Sequence, residues 1–198
     1  MNRTCQSLVL GLLLAAHALG SVAAAEEIYS RPGRYLLDAE GWELQAGSEG
    51  ALLLRCRDCQ SPVQVQIDYG PERSGADTEG GNAAFLAALA TEETQKQFAQ
   101  AMLEASLPEE VLTSEAVELT IAKVGKIDFG GLSMFRYVAM IDGGGDKVTQ
   151  ESTLVAIHHN RIVKLALNHY HDALDDTAKK RIATLFTSVR FDPEVPAR

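Results

Sequence analysis

Four things are scarce in this chain, and each scarcity narrows what the protein can be. Positive charge is the first: 18 Lys and Arg stand against 27 Asp and Glu, a formal net charge of −9 at pH 7. An acidic surface repels phosphate backbones and anionic lipid headgroups, which argues against nucleic acid as a partner; solubility accounts for the imbalance. Long apolar runs are the second. Leu8–Leu19 is too short to span a bilayer, which needs about 20 residues, and no second run follows it. Recognisable catalytic or nucleotide loops are the third. There is no phosphate-cradling glycine motif followed by Lys-Ser or Lys-Thr. Ser133, close to Gly130 and Gly131, lacks the flanking glycine spacing of a nucleophile elbow. The stretch Asp142–Asp146 lacks the alternating oxygen ligands and distal Glu of a calcium loop, and reads as a glycine hairpin turn. Glu92-Glu93 and Glu109-Glu110 sit at helix starts, where the helix dipole explains them. Cysteine is the fourth scarcity, with three in the whole chain.

The N-terminal stretch is a targeting segment and not part of the fold. Arg3 supplies an early positive charge, Leu8–Leu19 an apolar core, and Ala23-Ala24-Ala25 before Glu26-Glu27 a small-residue cleavage site. A signal peptide over 1–25 is therefore expected, followed by one exported, periplasmic domain over 26–198, with no membrane insertion after cleavage. Loss of Arg3 takes the formal balance from −9 to −10. Cys5 leaves with this segment, so Cys56 and Cys59 remain.

A pair of cysteines in an exported chain points to one disulfide. The ring closed by Cys56 and Cys59 is short, so chain entropy gives it only about 2 kcal/mol. It lies in the turn between two strand-like runs, Ala51–Arg55 and Val63–Tyr69. Redox activity is the alternative. It requires a thiol depressed in pKa, usually by a helix N-terminus, and no helical pattern begins at this turn. A zinc knuckle normally needs four ligands.

The four histidines beyond the signal segment gather in one hairpin, as His158, His159, His169 and His171. If Asn160 sits in the tight turn, the two pairs lie roughly 27 Å apart at strand rise, at opposite ends of the hairpin. That separation argues against one four-histidine site. His169 and His171 share a face and, with Asp172, offer a weak candidate site for copper or zinc. The reading without a metal makes them polar residues at a strand end, with no cofactor at all. His158 and His159, at a turn, are expected to be exposed.

The remaining pattern is α+β. Gly41–Gln45 alternates as a half-buried strand, with Arg34–Leu37 a possible edge strand before it and Tyr29–Gly33 loose. In Val63–Tyr69 the odd positions are apolar and Gln64, Gln66 and Asp68 face the other way. Residues 70–81 are glycine-rich and charged, a mobile loop. Asn82 reads as an N-cap for a short helix to Ala90. A bend near Thr91 leads to a longer helix that ends at about Ser106, because the stripes led by Phe85 and Phe98 are out of phase. Val117–Phe129 alternates into a Gly130-Gly131 hairpin. Leu132–Ile141, Val148–His158 and Ile162–Tyr170 make a meander, followed by an amphipathic helix from about Ala173 to Ser188 capped by Asp172 or Asp175, and a tail over 192–198. No internal repeat or linker marks a second domain.

The order of these pieces resembles the PsbP-like sandwich, shared by photosystem extrinsic subunits, a eukaryotic Ran-binding protein and several bacterial envelope proteins. The matching features begin with Gly41-Trp42 opening an early strand and a helical segment after a loop. They continue with the Gly131 turn before Phe135-Arg136-Tyr137 and the closing hairpin at Asn160-Arg161. The last is a final helix running into Ser188-Val189-Arg190-Phe191. The resemblance implies an antiparallel β-sheet covered by helices on both faces, an α/β/α sandwich, in a binding or assembly module instead of an enzyme. It carries over no functional residue, and the cysteine pair lies outside the pattern. The expectation is thus a non-catalytic accessory protein of the bacterial envelope that recognises a partner protein or a small ligand. Thiol–disulfide exchange at Cys56 and Cys59 and metal capture at His169 and His171 are the alternatives.

Overall fold

The structure, a computed structural model, describes residues 28–31, 34–46, 51–72 and 80–192. The signal segment expected over 1–25, the centre of the loop expected over 70–81 and the tail beyond 192 lie outside those residues. In chain order the strands and helices are β1 (Ile28–Arg31), β2 (Tyr35–Asp38), β3 (Trp42–Ala46), β4 (Leu52–Cys56), β5 (Val63–Tyr69), α1 (Gly81–Ala88) and α2 (Glu92–Ser106). They continue with α3 (Glu109–Leu112), β6 (Glu118–Phe129), β7 (Leu132–Asp142), β8 (Val148–His158), β9 (Arg161–Tyr170), α4 (Asp176–Ser188) and β10 (Arg190–Phe191).

Strands β3 to β9 form a seven-stranded sheet in the order β3-β4-β5-β9-β8-β7-β6, and every neighbouring pair runs antiparallel. Two tight turns set the registers of the meander. Gly130 and Gly131 adopt φ of 61° and 87°, the left-handed values a two-residue hairpin turn requires, and Phe129 pairs with Leu132. His159 and Asn160 do the same at φ of 49° and 54°, so His158 pairs with Arg161. Strand β6 runs unbroken past Lys123, with a register shift between Ile121 and Lys123.

Alternation along each strand sends one set of side chains to each face. On the first face Val63, Val65, Ile67 and Tyr69 of β5 and Val163, Leu165 and Leu167 of β9 pack with Trp42, Leu54, Ala178 and Leu185. Helix α4 and the small β1-β2-β10 sheet cover this side. On the second face Phe135, Tyr137, Ala139 and Ile141 of β7 and Val155 of β8 pack under Leu89, Ala99, Leu103, Leu107 and Val111. The α+β sandwich with helices on both faces is therefore present.

The details show where local signals were outweighed. The phase break at Thr91 is real: Thr91 is the N-cap of α2 and forms a reciprocal capping box with Thr94. Asn82 is not the cap of α1; Gly80, at φ 80°, holds that place. The Asn82 side chain instead accepts from the Ile157 N–H at 2.9 Å and donates to the Ser133 carbonyl at 2.7 Å, tying α1 to β8 and β7. Pro108 ends α2 and also starts the single turn α3. Ile28–Arg31, overlapping the segment expected to be loose, is a strand paired with β2, which also pairs with β10.

His158 is buried, against the expectation of exposure, with 1% of its surface accessible. Its Nε2 donates to the Asp192 carbonyl at 2.7 Å, and its Nδ1 lies 2.8 Å from the Tyr69 hydroxyl, which is also 3.4 Å from the Arg34 carbonyl. The turn geometry is as expected, but the small sheet folds over it: Phe191 packs edge-on against the ring.

Candidate functional site

The second face of the large sheet is covered only in part among the described residues. Helices α1 to α3 lie over β6, β7 and β8, and the half made by β4, β5 and β9 is left as a cleft of about 480 Å³. That volume suits a small molecule. The polar positions of β5 that alternate away from the core, Gln64, Gln66 and Asp68, lie on its floor beside Lys164, Ala166 and Asn168 of β9. Met102, Ala105 and Ser106 of α2 form one wall, while Cys56, Pro62 and Tyr170 also contribute to the lining.

Register turns these residues into an ordered row. Arg55 of β4 pairs with Gln64 of β5, Gln64 with Asn168 of β9, and Asn168 with Glu151 of β8. Three strand spacings give this row a backbone length of about 14 Å. A second row runs from Gln66 through Ala166 to Thr153, and a third pairs Asp68 with Lys164. The side chains of Gln64 and Asn168 make no hydrogen bond to any described residue, whereas Gln66 donates to Asp68 at 2.8 Å.

Glu151 is the unusual member. Its side chain is 6% exposed, and Oε1 receives the Tyr137 hydroxyl at 2.9 Å and the Thr153 hydroxyl at 2.8 Å. The Lys164 ammonium lies 3.8 Å from the same oxygen. Oε2 has no partner among the described residues, and it is not sealed from solvent. Its hydrogen bonds therefore come from whatever occupies the cleft, water or a ligand. Tyr137 is fully buried, and burial foremost, then the negative charge of Glu151, raises its pKa far above the usual phenol value of 10.0. Tyr137 is thus a fixed donor. Sequence reading passed over Glu151 because it sits in an ordinary alternating strand; its one signal was a charge on a position of β8 that faces protein.

Of the sequence-predicted residues, Cys56 and His169 line the cleft, whereas Cys59, His171 and Asp172 are not among its lining. Cys56 and Cys59 form a disulfide, with Cα atoms 5.6 Å apart, in the turn between β4 and β5. Although no helix begins at that turn, it packs against one. The Gln60 N–H donates to Asp175 Oδ2 at 2.7 Å, and Asp175 Oδ1 caps α4 through the Ala178 N–H at 2.8 Å. Arg181 of α4 reaches Asp58 at 3.8 Å and Glu40 at 3.5 Å. The N–H bonds from Ala178 and then Gln60 hold the Asp175 carboxyl below its usual pKa. A fixed anion therefore stands between the helix N-terminus and the cysteine turn.

His169 is buried and its Nδ1 donates to the Tyr170 carbonyl at 2.7 Å. His171 is exposed, with Nδ1 3.0 Å from Gln150 Oε1 and Nε2 3.3 Å from Asp172 Oδ2. Among the described residues, no group of three His, Cys, Asp or Glu side chains converges in a way that could hold a metal ion. No described helix is long and apolar enough to cross a membrane.

No protein-family model matches the sequence, and no curated protein matches it. Solved structures do match. The solution structure of the cyanobacterial PsbP protein CyanoP from Synechocystis superposes with a TM-score of 0.50 at 17% identity, covering 89% of this chain and 99% of that one. LpqN of Mycobacterium tuberculosis, described as involved in cell envelope biogenesis, gives 0.41 at 14% identity over 85% and 93% of the two chains. A Bacteroides thetaiotaomicron protein gives 0.47 at 9% identity over 86% of this chain, which spans 50% of that protein's length. The relationship to PsbP is one of fold: the chain is a PsbP-like α+β sandwich.

Proposed function

We propose that the protein is an exported, non-catalytic binding module whose cleft over β4, β5, β8 and β9 holds a small polar ligand. The observation that carries this reading is the Glu151 carboxylate, buried on the cleft with Oε2 unpartnered among the described residues. The leader-like segment at the N-terminus supports export. Docking of a protein partner by an apolar patch has less support: among the described residues the exposed large hydrophobics are Leu36 on β2 and Leu112 on α3. Within the cleft the potential acid–base groups are tied to one another, Tyr137 to Glu151 and Lys164 to Glu151, with no activated nucleophile beside them. The test is thermal denaturation of the mature chain in the presence of pooled small polar metabolites, alongside Asn168→Leu. Stabilisation of the wild type that Asn168→Leu loses is the expected result. Equal responses from both proteins, or turnover of any pool component, overturns it.

Thiol–disulfide exchange is the second reading, and one observation favours it: the cysteine turn lies against the N-terminus of α4 while Cys56 lines the cleft. Asp175 opposes it, since a carboxylate bonded to the Gln60 N–H disfavours a thiolate nearby. Equilibration with glutathione separates the two. A structural bridge stays oxidised, with a potential below about −300 mV, and an exchange site is reduced.

A further inference from the structure

We infer that the ligand of the cleft is an uncharged, polyhydroxylated molecule, a short saccharide; this rests on the cleft being a binding site at all. Charge balance carries the first step. The lining includes Arg55 and Lys164 as well as Asp68 and Glu151, two charges of each sign. An anionic ligand meets two carboxylates in the cleft and a cationic one meets a guanidinium and an ammonium. Neither gains a net field, and both leave water for a partly buried site. A neutral ligand avoids that cost.

Hydrogen-bond capacity carries the second step. The open oxygen of Glu151 accepts only, and the Lys164 ammonium donates only. Gln64 and Asn168, lying between Arg55 and Glu151 in the row and unpartnered among the described residues, do both. Two dual groups running up to an acceptor are matched by groups that can turn either way. Hydroxyls do so without ionising, since each carries one hydrogen and two lone pairs. Planar carboxamide and carboxylate side chains spaced by the strand separation of about 4.8 Å present their edges to hydroxyls at different positions around a ring. Met102 and Ala105 on the α2 wall supply apolar surface for the C–H face of such a ring. A cleft of about 480 Å³ holds a short oligomer, not a chain that must thread through.

The experiment is NMR titration of the mature ¹⁵N-labelled chain in two arms. One arm uses neutral mono-, di- and trisaccharides of glucose, galactose, mannose and N-acetylglucosamine. The other uses amino acids, dipeptides and sugar phosphates. The expected result is saccharide-dependent shifts of the Gln64 and Asn168 side-chain amides, with affinity reduced about tenfold in Gln64→Ala, the loss of one well-placed hydrogen-bonding group. Gln64→Ala touches no internal bond of the protein, so its folding is not at issue. Shifts at the same amides from the charged arm alone overturn the saccharide and leave the cleft as a binding site. Silence in both arms overturns the saccharide and the binding site together.

Discussion

The Tyr137 hydroxyl donates to Glu151 Oε1 across 2.9 Å, joining β7 to β8 inside the protein where both side chains are nearly inaccessible. The bond sets the geometry of the cleft. It fixes one carboxylate oxygen against Tyr137 and leaves the other open on the cleft. The Thr153 hydroxyl reinforces it from the same strand as Glu151, two residues away.

Alkaline stability reports this pair. Burial and the Glu151 charge raise the Tyr137 pKa in the folded protein, while the unfolded phenol titrates near 10.0. The unfolded state therefore releases its proton first as pH rises, so stability present below about pH 10 falls above it. Tyr137→Phe is expected to lose roughly 1.5–3 kcal/mol at neutral pH, the usual worth of a hydrogen bond to a charged group. It is also expected to flatten the loss above pH 10, read by urea denaturation across the alkaline range. An unchanged alkaline slope in Tyr137→Phe contradicts the assignment.

His158 distinguishes the fold from what its turn position alone suggests. An exposed turn histidine changes stability by about 0.5 kcal/mol or less when replaced. Buried between the Tyr69 hydroxyl and the Asp192 carbonyl, His158 takes a partner from each when it is truncated and leaves a cavity between them. His158→Ala is expected to cost roughly 2–4 kcal/mol in chemical denaturation. A value near zero would return this residue to the surface.

Much of the sheet was legible because strand alternation is a local property. Val63–Tyr69 and Ile162–Tyr170 declare their two faces residue by residue, and the Gly130-Gly131 and Asn160 turns fix their own registers. The tail of α4 was legible for the same reason, since Ala178, Leu185 and Val189 keep helical spacing. What could not be read depends on contacts far apart in sequence. The small sheet pairs Tyr35 with Phe191, and that closure is what buries His158. The polar row from Arg55 to Glu151 exists only once four strands are in register. Cysteines and histidines stand out in the sequence because their chemistry is visible singly, whereas the importance of the Glu151 carboxylate lies in its neighbours.

Asn82 offers a test of tertiary against local roles. As a cap of α1 its loss would loosen one helix. Here it bonds the Ile157 N–H and the Ser133 carbonyl across two strands, while Gly80 holds the cap position. Asn82→Ala is expected to cost about 1–2 kcal/mol and to raise hydrogen exchange at the Ile157 amide specifically. Faster exchange confined to α1, with Ile157 unchanged, would favour the cap.

The cysteine turn makes the last case, because its stability and its chemistry depend on the same carboxylate. Its ring is too short to restrict the unfolded chain much, so Cys56→Ser with Cys59→Ser is expected to cost no more than about 2 kcal/mol. Asp175, held below its usual pKa by the Ala178 and Gln60 N–H groups, contributes stability above the unfolded value of 3.8 that is lost as pH falls below it. Asp175→Asn keeps one oxygen to cap α4 but removes the charge and the acceptor for the Gln60 N–H, so the decline in stability on the acid side should become shallower. The same substitution takes an anion away from the bonded turn, so a thiolate forms more readily and the bridge becomes easier to reduce. Measured against glutathione, the Asp175→Asn protein should therefore show the higher reduction potential of the two. Equal potentials would mean that Asp175 only ties the turn to the helix. A wild-type potential already in the catalytic range would mean that the charge does not silence the cysteines, and that electron exchange belongs to the function.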